Sequence, residues 1–314
     1  MKVLFHYRCG DWLRHRLAAL SEEGLEVTIC GDAEDAAFVE ALADTEVLWH
    51  VLTPVTAAHL AGAPRLRLVQ KIGVGVNTID LEAAAARGIA VCNMPGTNSR
   101  AVAEMTLLLM LACLRRLPMF DRYTRRGTGW DWPVGLQGQL GELAGRTVGL
   151  AGMGGVPRIL APVLEAMGAE VIYTARSRRT HLPWPYCGKE ELLARSDILS
   201  LHLPLTPETA GWLDEEAMER MPPGAVLINT ARGGLVEEAA LVRRLANGRI
   251  AAAGLDVFAA EPIAADHPLL ALDNVVCAPH VAWFTTGTIA RSLEVAVENC
   301  RRLACGVPLL HRIV

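Results

Sequence analysis

VGLAGMGGVPRILAPVLEAMGAEVIYTARSRR, residues 148–179, runs from a short apolar stretch through Gly152-Met153-Gly154-Gly155-Val156 into a helix-like segment and on to a second apolar stretch. A GxG at a strand-to-helix turn lets backbone N–H groups approach a pyrophosphate at the helix N-terminus. Alone that spacing is weak, and a plain glycine-rich turn has the same letters. Its position decides the reading. From residue 147 the chain alternates TVGLAG, EVIYTA, DILSLHL, AVLINT, AAAGLDV and NVVCA with helix-like segments, and the glycine loop is the first turn of that series. Six strands with intervening helices make a complete doubly wound parallel α/β sheet, a Rossmann dinucleotide-binding domain.

Two departures within this stretch carry information. The third glycine of GxGxxG would stand at 157, where the chain has Pro157. Proline is tolerated in a helix's first turn, where its missing N–H has no intrahelical partner. The loop is therefore expected to stand, without the close helix–strand approach that glycine permits. The second departure lies at the end of strand two, where a NAD-specific site places a carboxylate on the ribose 2′-hydroxyl. Ala175 occupies that place, followed by Arg176, Ser177, Arg178 and Arg179. No carboxylate there repels a 2′-phosphate and arginines stand ready to bind it, so NADP(H) is expected in preference to NAD(H), with NAD(H) still possible. A solvated basic loop is the alternative, since arginines are common in this chain.

Three ionisable side chains follow the last three apolar runs: Arg232 in NTARGG after AVLIN, Glu261 in GLDVFAAEP after AAAGLDV, and His280 in APH after NVVCA. Open α/β sheets build reaction sites at the carboxyl ends of their strands. The types are complementary: a guanidinium can hold a carboxylate in bidentate fashion, a histidine can exchange a proton near neutral pH, and a carboxylate can favour the charged imidazole. Taken singly, each has a bland reading as surface arginine, helix-start glutamate or capped core histidine. The remaining histidines show no ligand spacing such as HxxxH, and no metal is expected.

Upstream, residues 2–6, 26–30, 46–51, 67–72 and 89–92 are short apolar runs separated by Ala/Leu/Glu-rich segments, which suggests a second, smaller parallel α/β unit. RAVAEMTLLLMLACLRRLP (100–118) reads as one long buried helix ending at Pro118, followed by a Gly- and Trp-rich excursion. A helix at about 285–305 would return the chain to the first unit. The expected domains are 1–97 with 289–314, and 98–288, with the ligand cleft between them.

At 314 residues the chain is too long for one compact core and suits two domains. A hydrophobic content of 52% supplies the buried strands, but the most apolar run, MTLLLMLACL, is too short to cross a bilayer. The start, MKVLFHYRCGDW, lacks the apolar core of a signal peptide, so a soluble cytoplasmic protein is expected. The 8 cysteines include no CxxC pair and sit mostly in apolar runs, as buried reduced thiols do. A net charge of −4 disfavours nucleic acid or an anionic membrane as partner.

Together these residues resemble the D-isomer-specific 2-hydroxyacid dehydrogenases, the family of the glyoxylate/hydroxypyruvate reductases and D-3-phosphoglycerate dehydrogenase. The resemblance covers nearly the whole chain, through KIGVGVNTIDLEAAAARGIAV (71–91), NSRAVAEMTLLLML (98–111), GMGGVPR (152–158), HLPLTPET (202–209), INTARGGLVEE (228–238), GLDVFAAEP (254–262) and APHVA (278–282). It implies a flavodoxin-like substrate domain beside the Rossmann domain, and reversible reduction of a small 2-keto acid to a D-2-hydroxy acid. In that scheme Arg232 binds the substrate's carboxylate and keto oxygen, His280 protonates that oxygen as hydride arrives, and Glu261 keeps His280 charged. The turn Val74-Gly75-Val76 offers backbone N–H groups to the same carboxylate. Thr106 lies near the cofactor phosphates, Thr230 and Ala231 along the nicotinamide ribose, and Asp256 takes the carboxamide. Leu203, Pro204, Thr209 and Ala282 complete the implied cofactor set with the 152–157 and 175–179 loops.

The expected pocket wall is formed by Val51, whose small apolar segment suits glyoxylate, pyruvate or hydroxypyruvate, and by Trp283, which either narrows the pocket or packs at the last helix. Trp130 and Trp132 lie in the excursion that relatives use for dimer contacts, so a homodimer is expected. Two other functions remain open from sequence: dehydrogenation of another small acid such as formate or phosphite, of which formate chemistry needs no acid–base glutamate and is disfavoured by the intact Glu261, and a dinucleotide-sensing corepressor scaffold. With Val314 coming soon after the last helix, no recruitment tail for the latter is expected.

Overall fold

The computed structural model describes residues 1–31 and 35–314. They form two compact units, Met1–Asn98 with Thr285–Val314, and Ser99–Phe284. The return to the first unit falls at 284/285 rather than 288/289 because Thr285 itself caps the last helix, Thr286–Cys305, accepting from the Thr288 N–H at 3.1 Å.

In the first unit, β1 (Lys2–His6), β2 (Glu26–Cys30), β3 (Val47–His50), β4 (Leu68–Lys71) and β5 (Ala90–Cys92) pair in parallel in the order β2-β1-β3-β4-β5. That is the flavodoxin-like order. β3, β4 and β5 are buried along their whole length, so they show no in/out alternation, and the polar His50, Gln70 and Lys71 at the ends of β3 and β4 are buried with the rest. Helix Thr286–Cys305 contributes the buried Asn299, which donates to Gln70 Oε1 at 2.6 Å and accepts from the Leu310 N–H at 2.7 Å. The C-terminal residues then pair along β5, the Ile313 N–H donating to the Val91 carbonyl at 2.7 Å.

In the second unit, β6 (Thr147–Ala151), β7 (Glu170–Thr174), β8 (Ile198–Leu201), β9 (Ala225–Asn229), β10 (Ile250–Leu255) and β11 (Val275–Cys277) pair in parallel in the order β11-β10-β9-β8-β6-β7. Beyond β7 a single parallel bridge joins Tyr173 to Tyr186. It stands where the edge strand of the Rossmann order would pair. One apolar layer gathers Leu192, Leu213, Met218, Leu235 and Leu241, and the other Leu109, Met110, Leu160, Leu164 and Val171.

The long apolar helix is shorter than its sequence suggests. It spans Ser99–Arg115; Arg116 turns left-handed (φ 51°), and a separate helix runs Leu117–Arg125. A continued helix would drive the Pro118 ring into the Leu114 carbonyl, so the chain breaks and reuses the proline in a new first turn. Among the described residues no helix is long and apolar enough to cross a membrane. The cysteines are free thiols, and burial pushes Cys113 and Cys300 up to about 12 and Cys92 up to about 11.

Candidate active site

β9 ends in a buried Asn229 whose two amide atoms organise the turn that follows. Its Oδ1 accepts from the Ala231 N–H at 3.0 Å and its Nδ2 donates to the Arg232 carbonyl at 2.9 Å. Arg232 therefore leaves the strand on a fixed backbone, half-buried. Burial lowers its pKa and the charge of Glu261 opposes that shift. Next to it, a β-carbon on Gly233 would lie 1.9 Å from the Phe258 carbonyl carbon. Only glycine allows the arginine turn to press against the backbone of the neighbouring β10 loop.

That β10 loop carries Asp256, Phe258 and Glu261. The Phe258 N–H donates to Glu261 Oε1 at 3.0 Å, folding the carboxylate back over its own loop, and the Glu261–Pro262 peptide is cis. Glu261 Oε2 meets His280 Nδ1 at 2.7 Å, with side chains 35% and 20% exposed, so the pair is shielded yet reachable. Burial by itself would raise the Glu261 pKa. The hydrogen bond and charge of His280, the Phe258 N–H and the charge of Arg232 outweigh it and hold the carboxyl below its ordinary value.

His280 itself sits in the left-handed region (φ 55°), uncommon for a residue with a side chain. Four hydrogen bonds hold it there. Its N–H donates to the Asp256 carbonyl at 2.8 Å; the Val281 and Ala282 N–H groups donate to the two Asp256 carboxylate oxygens at 2.8 and 2.9 Å; and Trp283 Nε1 donates to the His280 carbonyl at 3.0 Å. The pKa of Asp256 is raised, because burial outweighs the opposing pull of these two N–H bonds. With Nδ1 committed to Glu261, Nε2 is the ring atom left for proton exchange.

The dinucleotide loop follows β6. Gly152 has φ 106°, and a β-carbon there would lie 2.7 Å from the His202 carbonyl oxygen, so glycine is obligatory. Gly154 then caps helix Gly155–Ala166 without a side-chain cap, and a β-carbon on it would meet nothing. Pro157 is buried in that helix's first turn. An uncapped N-terminus facing open space fits a pyrophosphate. The buried hydroxyls of Thr106 and Thr230 stand 2.9 Å apart, and Ala231 follows. Leu203 and Pro204 leave β8 beside Thr209, whose hydroxyl donates to the Pro204 carbonyl at 2.6 Å. His202 bonds Ser200 at 2.9 Å through Nε2, and burial pushes it down to about 3, so it is neutral packing. At the end of β7, Ala175 is followed by exposed Arg176, Ser177, Arg178 and Arg179.

In the first unit, the carbonyls of Gly73, Val74 and Val76 accept from the Met94 N–H, Asn93 Nδ2 and the Ile79 N–H at 2.8, 2.9 and 3.0 Å. A trans peptide points its N–H opposite its carbonyl. With those carbonyls turned into the fold, the N–H groups of Val74 and Gly75 face the other way. Val51 is buried, and its carbonyl accepts from Lys71 Nζ. Among the described residues no group of three or more His, Cys, Asp or Glu is placed to hold a metal ion.

The NAD binding domain of the D-isomer specific 2-hydroxyacid dehydrogenases matches residues 107–282, which include Arg232, Glu261 and His280. The chain belongs to that family. A glyoxylate reductase of Aeropyrum pernix is 42% identical over 274 residues, covering 84% of this chain and 81% of the relative. The D-3-phosphoglycerate dehydrogenase of Mycobacterium tuberculosis is 41% identical over 258 residues; the match takes in 81% of this chain but 48% of that longer protein. A solved structure of an NADPH-dependent glyoxylate/hydroxypyruvate reductase from Sinorhizobium meliloti, in complex with NADP and malonate, superimposes with a TM-score of 0.86 at 30% identity, covering 100% and 96% of the two chains. In this 2-hydroxyacid dehydrogenase, residues outside the sequence-derived set also shape the site. Asn229 was signalled only by a polar residue closing the apolar run AVLIN. Asn93 and Lys71, which brace the loops at Val74 and Val51, gave no local signal, because their partners lie on other strands.

Proposed function

We propose that this dehydrogenase reduces a small 2-keto acid, of the glyoxylate, hydroxypyruvate or pyruvate type, to the D-2-hydroxy acid, with NADPH preferred over NADH. The observation that carries the reading is the 2.7 Å contact between Glu261 and His280, with the Arg232 turn pressed against the Glu261 loop through Gly233. The nicotinamide, when bound, supplies a hydride to the substrate's carbonyl carbon. Arg232 holds the substrate's carboxylate and stabilises the charge growing on the carbonyl oxygen. His280 gives that oxygen its proton from Nε2, while Glu261 orients the ring through Nδ1. The N–H groups of the Val74-Gly75-Val76 turn make it the carboxylate-binding element of the first unit in this reading. Asp256 serves twice in this reading, as brace of the His280 turn and as acceptor for the carboxamide.

The cofactor preference rests on Ala175, which offers no carboxylate against a 2′-phosphate, and on the exposed arginines after it. A homodimer is the proposed assembly: Leu108, Leu117, Trp130 and Val134 are exposed apolar side chains on or after the Ser99–Arg115 helix, Trp130 at 84%. A cytoplasmic location fits the free, mostly buried thiols. Steady-state rates with glyoxylate, hydroxypyruvate, pyruvate and phenylpyruvate, each with NADPH and with NADH, test the function. NADPH oxidation dependent on a 2-keto acid is the expected result, and none with any acid would reject it.

A further inference from the structure

Two tyrosines outside the expected cofactor set close the arginine loop at both ends. Tyr173, on β7, is fully buried, yet its hydroxyl does not end in the core. It accepts from the Arg179 N–H at 2.8 Å and lies 3.4 Å from the Arg179 carbonyl. Tyr186 reaches the other end, its hydroxyl donating to the Ala175 carbonyl at 3.4 Å. The two rings meet edge to face, 5.6 Å apart.

The backbone forms a neck beneath them. The Tyr173 N–H donates to the Pro185 carbonyl at 3.0 Å, and the Cys187 N–H to the Tyr173 carbonyl at 2.9 Å. Between these anchors the chain turns at the Leu182 N–H to Arg179 carbonyl bond of 3.0 Å, then packs Leu182 and Trp184 onto the core, with Pro183 and Pro185 flanking the tryptophan. Arg176, Arg178 and Arg179 stay exposed, and among the described residues none of the three forms an ion pair. Two phenols and two prolines thus fix the shape of this loop, while its three guanidinium groups remain open to solvent.

We propose that Tyr173 and Tyr186 are positioning residues that preform the 175–179 loop to receive the ribose 2′-phosphate of NADP(H), which rests on the NADPH reading above. A loop already in its bound shape avoids the ordering cost that a flexible basic loop would incur on binding. Their loss should therefore weaken the 2′-phosphate selectively and leave the rest of the nucleotide alone.

Calorimetric titration with 2′,5′-ADP and with 5′-AMP isolates that phosphate without turnover. Wild type is expected to bind 2′,5′-ADP at least about tenfold more tightly than 5′-AMP, the phosphate gaining charge-assisted bonds to arginine. Tyr173→Phe should reduce that ratio about three- to tenfold, the scale of one hydrogen bond, with 5′-AMP affinity unchanged within about twofold. Tyr186→Phe, with a half-exposed ring, should lower it less and guards against a Tyr173 variant that fails to fold. Both variants retaining the wild-type ratio, or losing both ligands equally, would overturn the positioning role while the NADPH reading stands. A wild type that does not distinguish the two nucleotides would overturn both.

Discussion

Glu261 and His280 arrive from the ends of adjacent parallel strands, β10 and β11, and their side chains close to 2.7 Å, Oε2 to Nδ1. They lie 19 positions apart in the chain, so the contact is made by the sheet and not by local sequence. In the proposed mechanism Nε2 is the atom that gives its proton to the substrate. His280→Ala is expected to lower kcat by about 10²–10⁴-fold, the usual worth of a positioned acid. Glu261→Gln, whose amide oxygen can still accept from Nδ1, should cost less. Steady-state kinetics on both variants checks the order of the two losses.

The lowered Glu261 pKa has a signed consequence. A carboxyl held below its ordinary value binds fewer protons folded than unfolded, so its stabilising contribution is present above that ordinary value, 4.5, and is lost as pH falls through the depressed folded value. Wild type should therefore be more stable than Glu261→Gln at neutral pH, and the difference should shrink as the solution is acidified below 4.5. Denaturant unfolding of both proteins across that range reads it. A difference that grows on acidification would reverse the assignment.

Asp256 places both carboxylate oxygens on the N–H groups of Val281 and Ala282. Asp256→Asn turns an amide NH2 toward one of these donors and leaves a buried N–H unsatisfied. A loss of about 1–3 kcal/mol in stability is expected. Because those N–H groups hold the left-handed His280, kcat should fall with it. Chemical denaturation and kinetics on the same preparation test the pairing of the two effects.

The exposed apolar side chains Leu108, Leu117, Trp130 and Val134 lead to the assembly prediction. Light scattering on the eluting peak should give twice the chain mass, and Leu117→Glu, at a side chain 56% exposed, should shift it toward monomer. A monomer at working concentration for wild type would contradict the dimer.

Much of this arrangement was legible in the sequence because it repeats at short range. Buried parallel strands read as unbroken apolar runs, and the strand-end motifs of Arg232, Glu261 and His280 follow them directly. What was not legible depends on partners distant in sequence. Tyr173 reads as one more apolar strand residue until its hydroxyl is seen on Arg179, and Lys71 as a strand-end cation until it is seen on Val51. Pro118 marks the helix stop in the sequence, but the chain breaks two residues earlier, at Arg116, because the proline is taken into the first turn of the next helix. Trp283 reads as pocket wall or packing, and its indole N–H in fact braces the His280 carbonyl.

The most direct test of the central claim is NADPH oxidation on addition of glyoxylate or hydroxypyruvate, run with wild type and with His280→Ala side by side. Acid-dependent oxidation by wild type, faster with NADPH than with NADH and nearly abolished in the variant, is the predicted result. Equal rates in the two proteins would contradict His280 as the proton donor, and no acid-dependent oxidation by wild type would contradict 2-keto acid reduction itself.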